Sequence, residues 1–146
     1  MKANIPEVAK KGFVVIGGGF AGLTLTVKLI KSNYQVVLID KHNYHMFQPL
    51  FYQVVTAGIE PSAISFPFRK VFQSKRNIHI RITEVIRIEP KNNWVIPKVG
   101  LVNYDYLVIA MGDIALMVTE KYPKGHAQVA QVAIQQATNL ANNFKK

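Results

Sequence analysis

The chain has 146 residues, with 18 Lys and Arg against 8 Asp and Glu, four His and no Cys, for a formal net charge of +10. An apolar content of 49% with 18% charged residues fits one globular domain and excludes a disordered chain. Without cysteine there is no disulfide scaffold, iron–sulfur cluster, thiolate zinc site or redox dithiol.

The positive charge favours anionic partners in general. It is scattered, densest at Arg69-Lys70 and Lys75-Arg76, so it reads as a solvated face and identifies no specific nucleic acid. Met1 to Lys11 has no apolar core of a secretory signal. The uncharged stretch Phe13 to Val27 is shorter than a membrane span and holds four glycines, so a cytoplasmic chain is expected.

In chain order, Phe13-Val14-Val15-Ile16 is a β-branched and aromatic run, as expected of a strand buried on both faces. A glycine turn follows. Leu23, Val27 and Ile30 then recur at helical spacing up to Ser32-Asn33. Gln35 to Ile39 reads as a second buried strand ending at Asp40, which completes a βαβ unit. Residues 41–77 are irregular and broken by Pro49, Pro61 and Pro67, with short helical pieces near Ser62 and over Arg69–Gln73. Phe66, Phe68, Phe72 and Trp94 are expected in the core. Ile78 to Ile82 alternates as a strand with one solvated face. Glu84–Glu89, a turn at Lys91-Asn92-Asn93 and Trp94-Val95-Ile96 form a small antiparallel meander. Tyr104 to Ala110 is a further strand running into Gly112-Asp113. Val129, Val132, Ala133, Gln136 and Leu140 mark one face of a C-terminal helix over 127–144.

Gly17-x-Gly19-x-x-Gly22 sits after a strand and opens a helix, the context a dinucleotide fingerprint requires. Gly17 permits the tight turn, Gly19 lets a pyrophosphate approach the backbone, and Gly22 lets helix and strand pack closely. The helix entrance then offers free N–H groups and a positive dipole end to phosphates. Asp40, 18 residues beyond Gly22, is placed to accept hydrogen bonds from a ribose and disfavours a 2′-phosphate. NAD and FAD both satisfy this pattern. His42 and His45 have no third ligand near in sequence, so no metal site is expected.

Longer motifs narrow the choice. Val15-Ile16-Gly17-Gly18-Gly19-Phe20-Ala21-Gly22-Leu23 and Ile39-Asp40-Lys41-His42-Asn43-Tyr44-His45-Met46-Phe47-Gln48-Pro49-Leu50-Phe51-Tyr52-Gln53 closely resemble the flavin domain of type II NADH:quinone oxidoreductases. The resemblance continues through Thr56 to Ser62, Tyr104 to Ala110, Gly112 to Met117, Tyr122 to His126 and Ala130 to Gln136. It implies an α/β, Rossmann-like three-layer FAD-binding domain with a central parallel sheet and a small antiparallel meander.

By the same resemblance, Gly17, Gly19 and Gly22, with Phe20 and Ala21, cradle the FAD pyrophosphate. Asp40 binds the adenosine ribose beside Lys41, and backbone at Val85 touches adenine. Pro49, Leu50 and Thr56 border the isoalloxazine, and Asp113 meets the ribitol. Ala110, Gly112, Ala127, Gln128 and Val129 complete the cofactor set, the last three at the start of a helix aimed at the flavin's pyrimidine edge. Gln131 and Gln135 line the quinone site of the full-length relative.

One departure from the family matters. Where the family inserts an NADH-binding domain, Ala110-Met111-Gly112-Asp113 joins what read as two segments, 1–111 and 112–146, into a single domain with no second glycine fingerprint. The expected function is FAD binding with little or no NADH oxidation. An NAD-binding module and a remnant that binds nothing are the alternatives. Full-length relatives sit on the inner face of the membrane; weak contact with an anionic membrane surface and homodimerisation are secondary expectations for this chain.

Overall fold

The structure, a computed structural model, describes residues 4–109, 120, 123 and 129–145. Its centre is the βαβ unit: β1 (Lys11–Ile16), helix α1 (Phe20–Lys28) and β2 (Tyr34–Asp40). The two strands run parallel in register from Lys11 opposite Tyr34 to Ile16 opposite Ile39. After β2 come β3 (Tyr44–Met46), the short helix α2 (Phe51–Val55), β4 (Ser65–Pro67), the single-turn helix α3 (Phe68–Val71) and β5 (Ile78–Ile82). The chain continues as β6 (Val85–Glu89), β7 (Trp94–Pro97), β8 (Val102–Asn103), β9 (Tyr106–Val108) and helix α4 (Ala130–Lys145). The main sheet has the order β5-β2-β1-β9, all parallel; β6-β7-β8 form the antiparallel meander.

Side-chain alternation divides the apolar runs between two cores. Phe13, Val15, Val36 and Leu38 face α1 and α4, together with Phe68 and Phe72. Val14, Val37 and Ile39 face the meander, against Val95 and Val102. A sheet covered on both faces needs continuous hydrophobic strands, which is what β1 and β2 supply. The three layers are helices, sheet and meander.

The structure corrects some expectations and refines others. On α1 the buried positions are Ala21, Gly22, Leu25 and Thr26, with Leu29 just beyond, whereas Val27 is exposed and Leu23 and Ile30 are half-buried. That helix is apolar nearly all round, so periodicity could not select the face that meets the sheet and α4. On α4 the expected face holds at Ala133, which is buried, and at Val132, Gln136 and Leu140, which are half-buried; Val129 is exposed, and Ala137 and Ala141 complete the buried line. Three alanines four residues apart let α4 approach α1 closely, a packing preference that hydrophobicity alone misses. Phe66 is exposed, while Phe68 and Phe72 are buried as expected and Trp94 is half-buried. Within the irregular stretch, β3 and β4 pair as an antiparallel ribbon, His45 opposite Phe66. The alternating run from Ile78 to Glu89 is split: β5 is an edge of the parallel sheet, and the chain enters the meander after Thr83, whose N–H donates to the Asp40 carbonyl at 2.8 Å.

On β5, His79 carries a pH-dependent term. Its Nε2 lies 3.3 Å from Nε2 of Gln35, whose amide also donates to the Pro6 carbonyl at 2.7 Å. An amide nitrogen only donates, so the ring nitrogen accepts and the imidazole is neutral. Burial, and then the nearby Arg81 guanidinium, push the His79 pKa below its ordinary 6.5. The unfolded chain therefore binds the proton more readily, and stability falls as pH drops below about 6.5. Chemical denaturation at pH 7.5 and 5.5 is expected to show that loss, and His79→Gln to shrink it.

Candidate functional site: a glycine turn and the cleft beside it

Each glycine of the turn has its own physical reason. Gly17 has φ +95°, a conformation costly for any residue with a side chain, and its N–H donates to the Ile39 carbonyl at 2.8 Å. Gly22 lies against the turn it follows: a Cβ there would stand 1.9 Å from the Gly17 carbonyl oxygen. Thr26 Oγ1 donates to the Gly22 carbonyl at 2.8 Å. At Gly19 the requirement is openness, since a Cβ would meet nothing within 4 Å. Gly19 caps α1 without a side-chain hydrogen bond, and the first turn holds no acidic residue. From Gly19 onward the amides at the helix entrance thus have no anionic partner among the described residues, the condition under which a helix N-terminus accepts a phosphate.

Asp40 ties the turn to the end of β2. Its Oδ2 accepts from the Gly18 N–H at 2.6 Å and its Oδ1 from the His42 N–H at 2.7 Å. Beside this carboxylate is a cleft of about 380 Å³ lined by Ile16, Gly17, Ile39, Asp40, Lys41, His42, Thr83, Glu84 and Val85. It lies past the carboxyl ends of β1 and β2, beside the chain leaving β5, on the side of an open parallel sheet where ligands usually bind. Two cavities of about 450 and 400 Å³ lie at the opposite end, around Pro6, Lys10 and Gln35, away from the glycine turn. On the rim, Glu84 accepts from Lys98 at 2.7 Å and Lys41 at 3.2 Å. Those contacts, Lys98 foremost, hold its carboxyl below the usual range.

Of the residues picked out from sequence, Gly17, Asp40, Lys41 and Val85 meet at this cleft, and Gly19, Phe20, Ala21 and Gly22 form the adjoining helix entrance. Pro49 and Leu50 stand on a short 3₁₀ turn and Thr56 closes α2, outside the cleft lining. Gln131 and Gln135 are exposed on α4, and Val129 precedes it. Ala110, Gly112, Asp113, Ala127 and Gln128, and the junction between segments 1–111 and 112–146, lie outside the described residues.

Sequence reasoning missed three contributors. Gly18 is buried under Phe68, whose ring atom Cζ would be 2.1 Å from a Cβ at that position. His45 is buried too, with Nδ1 2.9 Å from the Gly18 carbonyl oxygen. The middle glycine of the Gly17-Gly18-Gly19 run was the available signal for Gly18; nothing local marks His45 or Phe68 as its neighbours.

A parallel sheet, a glycine turn opening a helix and an acid at the end of the second strand define a nucleotide-binding α/β domain. Residues 11–144 match the pyridine nucleotide-disulphide oxidoreductase family, and the chain belongs to it. It is 34% identical over 103 residues to the type II NADH:quinone oxidoreductase Ndh of Mycobacterium tuberculosis, covering 68% of this chain and 22% of that protein. An external alternative NAD(P)H-ubiquinone oxidoreductase B1 of Solanum tuberosum mitochondria is 31% identical over 125 residues, covering 77% of this chain and 22% of its own length. The chain therefore spans about a fifth of these relatives. Among solved structures, the sulfide:quinone oxidoreductase of Aquifex aeolicus superposes with a TM-score of 0.64 at 27% identity, over 92% of this chain and 32% of that one. The NDH2 of Plasmodium falciparum gives 0.64 at 19% identity over 92% of this chain and 28% of that one, a likeness of fold. Among the described residues no helix is long and apolar enough to cross a membrane.

Proposed function

We propose that this chain is an FAD-binding domain of the NADH:quinone oxidoreductase type. The observation that carries the reading is the open, uncapped entrance of α1 beside a carboxylate fixed at the end of β2. The entrance amides of α1, without a partner among the described residues, suit a diphosphate, Asp40 suits a ribose, and the cleft between Gly17 and Val85 has room for the adenosine that follows. Phe51, Tyr52 and Val55 are exposed on α2, between Leu50 and Thr56, and offer apolar surface to the isoalloxazine. When bound, FAD supplies two-electron redox chemistry; the residues of the chain bind and orient it.

Asp113 at the ribitol, Val129 with Ala127 and Gln128 at the pyrimidine edge, and Gln131 and Gln135 toward a quinone follow from the family resemblance. We read residues 1–111 and 112–146 as two family segments joined into one domain. These 146 residues hold one glycine fingerprint, so NADH oxidation is proposed to be weak or absent. The relatives' names support quinone as an acceptor in the longer proteins. A cytoplasmic location, with contact to anionic membrane surfaces, is part of this proposal.

The adenosine diphosphate portion is common to FAD and NAD, so the two are separated by titration. FAD is expected to raise the melting temperature and NADH to leave it unchanged. Asp40→Asn, which removes a charged acceptor, should weaken FAD binding roughly ten- to a hundredfold. Stabilisation by NADH and not by FAD would reassign the chain to an NAD-binding module.

A further inference from the structure

The buried imidazole of His45 lies outside the cleft and its lining. It is 6% exposed, held in β3 opposite Phe66 of β4, and packed edge-to-face on Phe20 at 4.8 Å between ring centres. Its Nδ1 lies 2.9 Å from the carbonyl oxygen of Gly18. A carbonyl oxygen only accepts, so Nδ1 carries the hydrogen.

That single contact fixes the direction of a different group. The described chain has no cis peptide, and a trans peptide places its C=O and N–H on opposite sides. With the Gly18 carbonyl drawn onto His45, the N–H of the same peptide unit, that of Gly19, points away from the His45 ring. This N–H donates to nothing among the described residues, and the space beside Gly19 is open. The preceding peptide is pinned separately, through the Gly18 N–H on Asp40 Oδ2 at 2.6 Å. Glycine peptides rotate freely unless restrained, and these two are restrained on both sides of Gly18.

Resting on the FAD reading above, we infer that His45 is a positioning residue that aims the Gly19 N–H at the diphosphate. Phe20, which the sequence places inside the fingerprint, holds the ring in the orientation this requires. The histidine touches no ligand itself.

The test compares His45→Phe, His45→Asn and His45→Gln by FAD titration, with the melting temperature of each apoprotein measured alongside. Phe keeps an aromatic ring and removes the donor; its dissociation constant for FAD should rise about tenfold. The Asn amide nitrogen falls near the Nδ1 position and should restore most of that affinity. Gln, whose amide falls nearer Nε2, should not. If Phe fails to fold, the Asn and Gln comparison still decides. A nitrogen-15 NMR spectrum of the wild-type ring supplies an independent readout, with a protonated Nδ1 expected both with and without FAD. FAD binding by the Phe variant equal to wild type, equal binding by Asn and Gln, or an unprotonated Nδ1 would each overturn the inference. A wild-type chain that takes up no FAD while showing the Nδ1 proton would mean that the contact stands and the flavin reading is wrong.

Discussion

Gly22→Ala is expected to unfold the glycine turn and abolish FAD binding together. The added Cβ would lie 1.9 Å from the Gly17 carbonyl oxygen, and 3.4 Å from Val15 Cγ1. The obstacle is backbone, so no rotamer change relieves it. Relief requires α1 to move off β1, or the turn to give up the Gly17 N–H bond to Ile39. Overpacking on this scale costs on the order of 3 kcal/mol or more, which for a chain of this size lowers the melting temperature by roughly 6–12 °C. A calorimetric scan with and without FAD checks both halves. A Gly22→Ala variant that melts and binds as wild type would show that close approach of helix and turn is unnecessary.

The second large effect is a coupled one, between Gly18 and Phe68. Phe68 is fully buried, so Phe68→Ala should cost about 3–5 kcal/mol through lost burial and the cavity left behind. Gly18→Ala alone drives a Cβ to 2.1 Å from the Phe68 ring. Part of that clash can be relieved by ring displacement, and all of it disappears when the ring is removed. The double variant should therefore be much less destabilised than the sum of the singles, with a coupling of about 1–3 kcal/mol measured by urea unfolding. Additive effects would place the ring elsewhere in solution.

These two pairs also show where sequence was informative. The βαβ unit, the fingerprint and Asp40 are consecutive or closely spaced, and each rests on a local rule: strand periodicity, turn conformation, helix entrance. Gly17, Gly22 and Asp40 accordingly stand where local rules put them. Val85 reaches the cleft because β5 pairs with β2 and the chain leaves the sheet beside Asp40, so the end of one strand determines the start of the next. Phe68 and His45 differ. Each acts on Gly18 across 27 residues of sequence or more, through a two-stranded ribbon whose strands have three residues each. Strands that short leave no periodic signal, and their pairing is decided by tertiary packing. Ala133 was legible on the expected face of α4, but the burial of Ala137 and Ala141 was hidden for another reason: alanine is read as neutral in a hydrophobic pattern, yet small size is what permits two helices to approach.

The most direct measurement is the visible absorption spectrum of the chain after incubation with FAD and removal of free cofactor. The account predicts a yellow protein that retains stoichiometric flavin and releases it on denaturation, while the Gly22→Ala protein emerges colourless. A correctly folded wild-type chain that emerges colourless would contradict it, and the uncapped entrance of α1 would then hold no flavin.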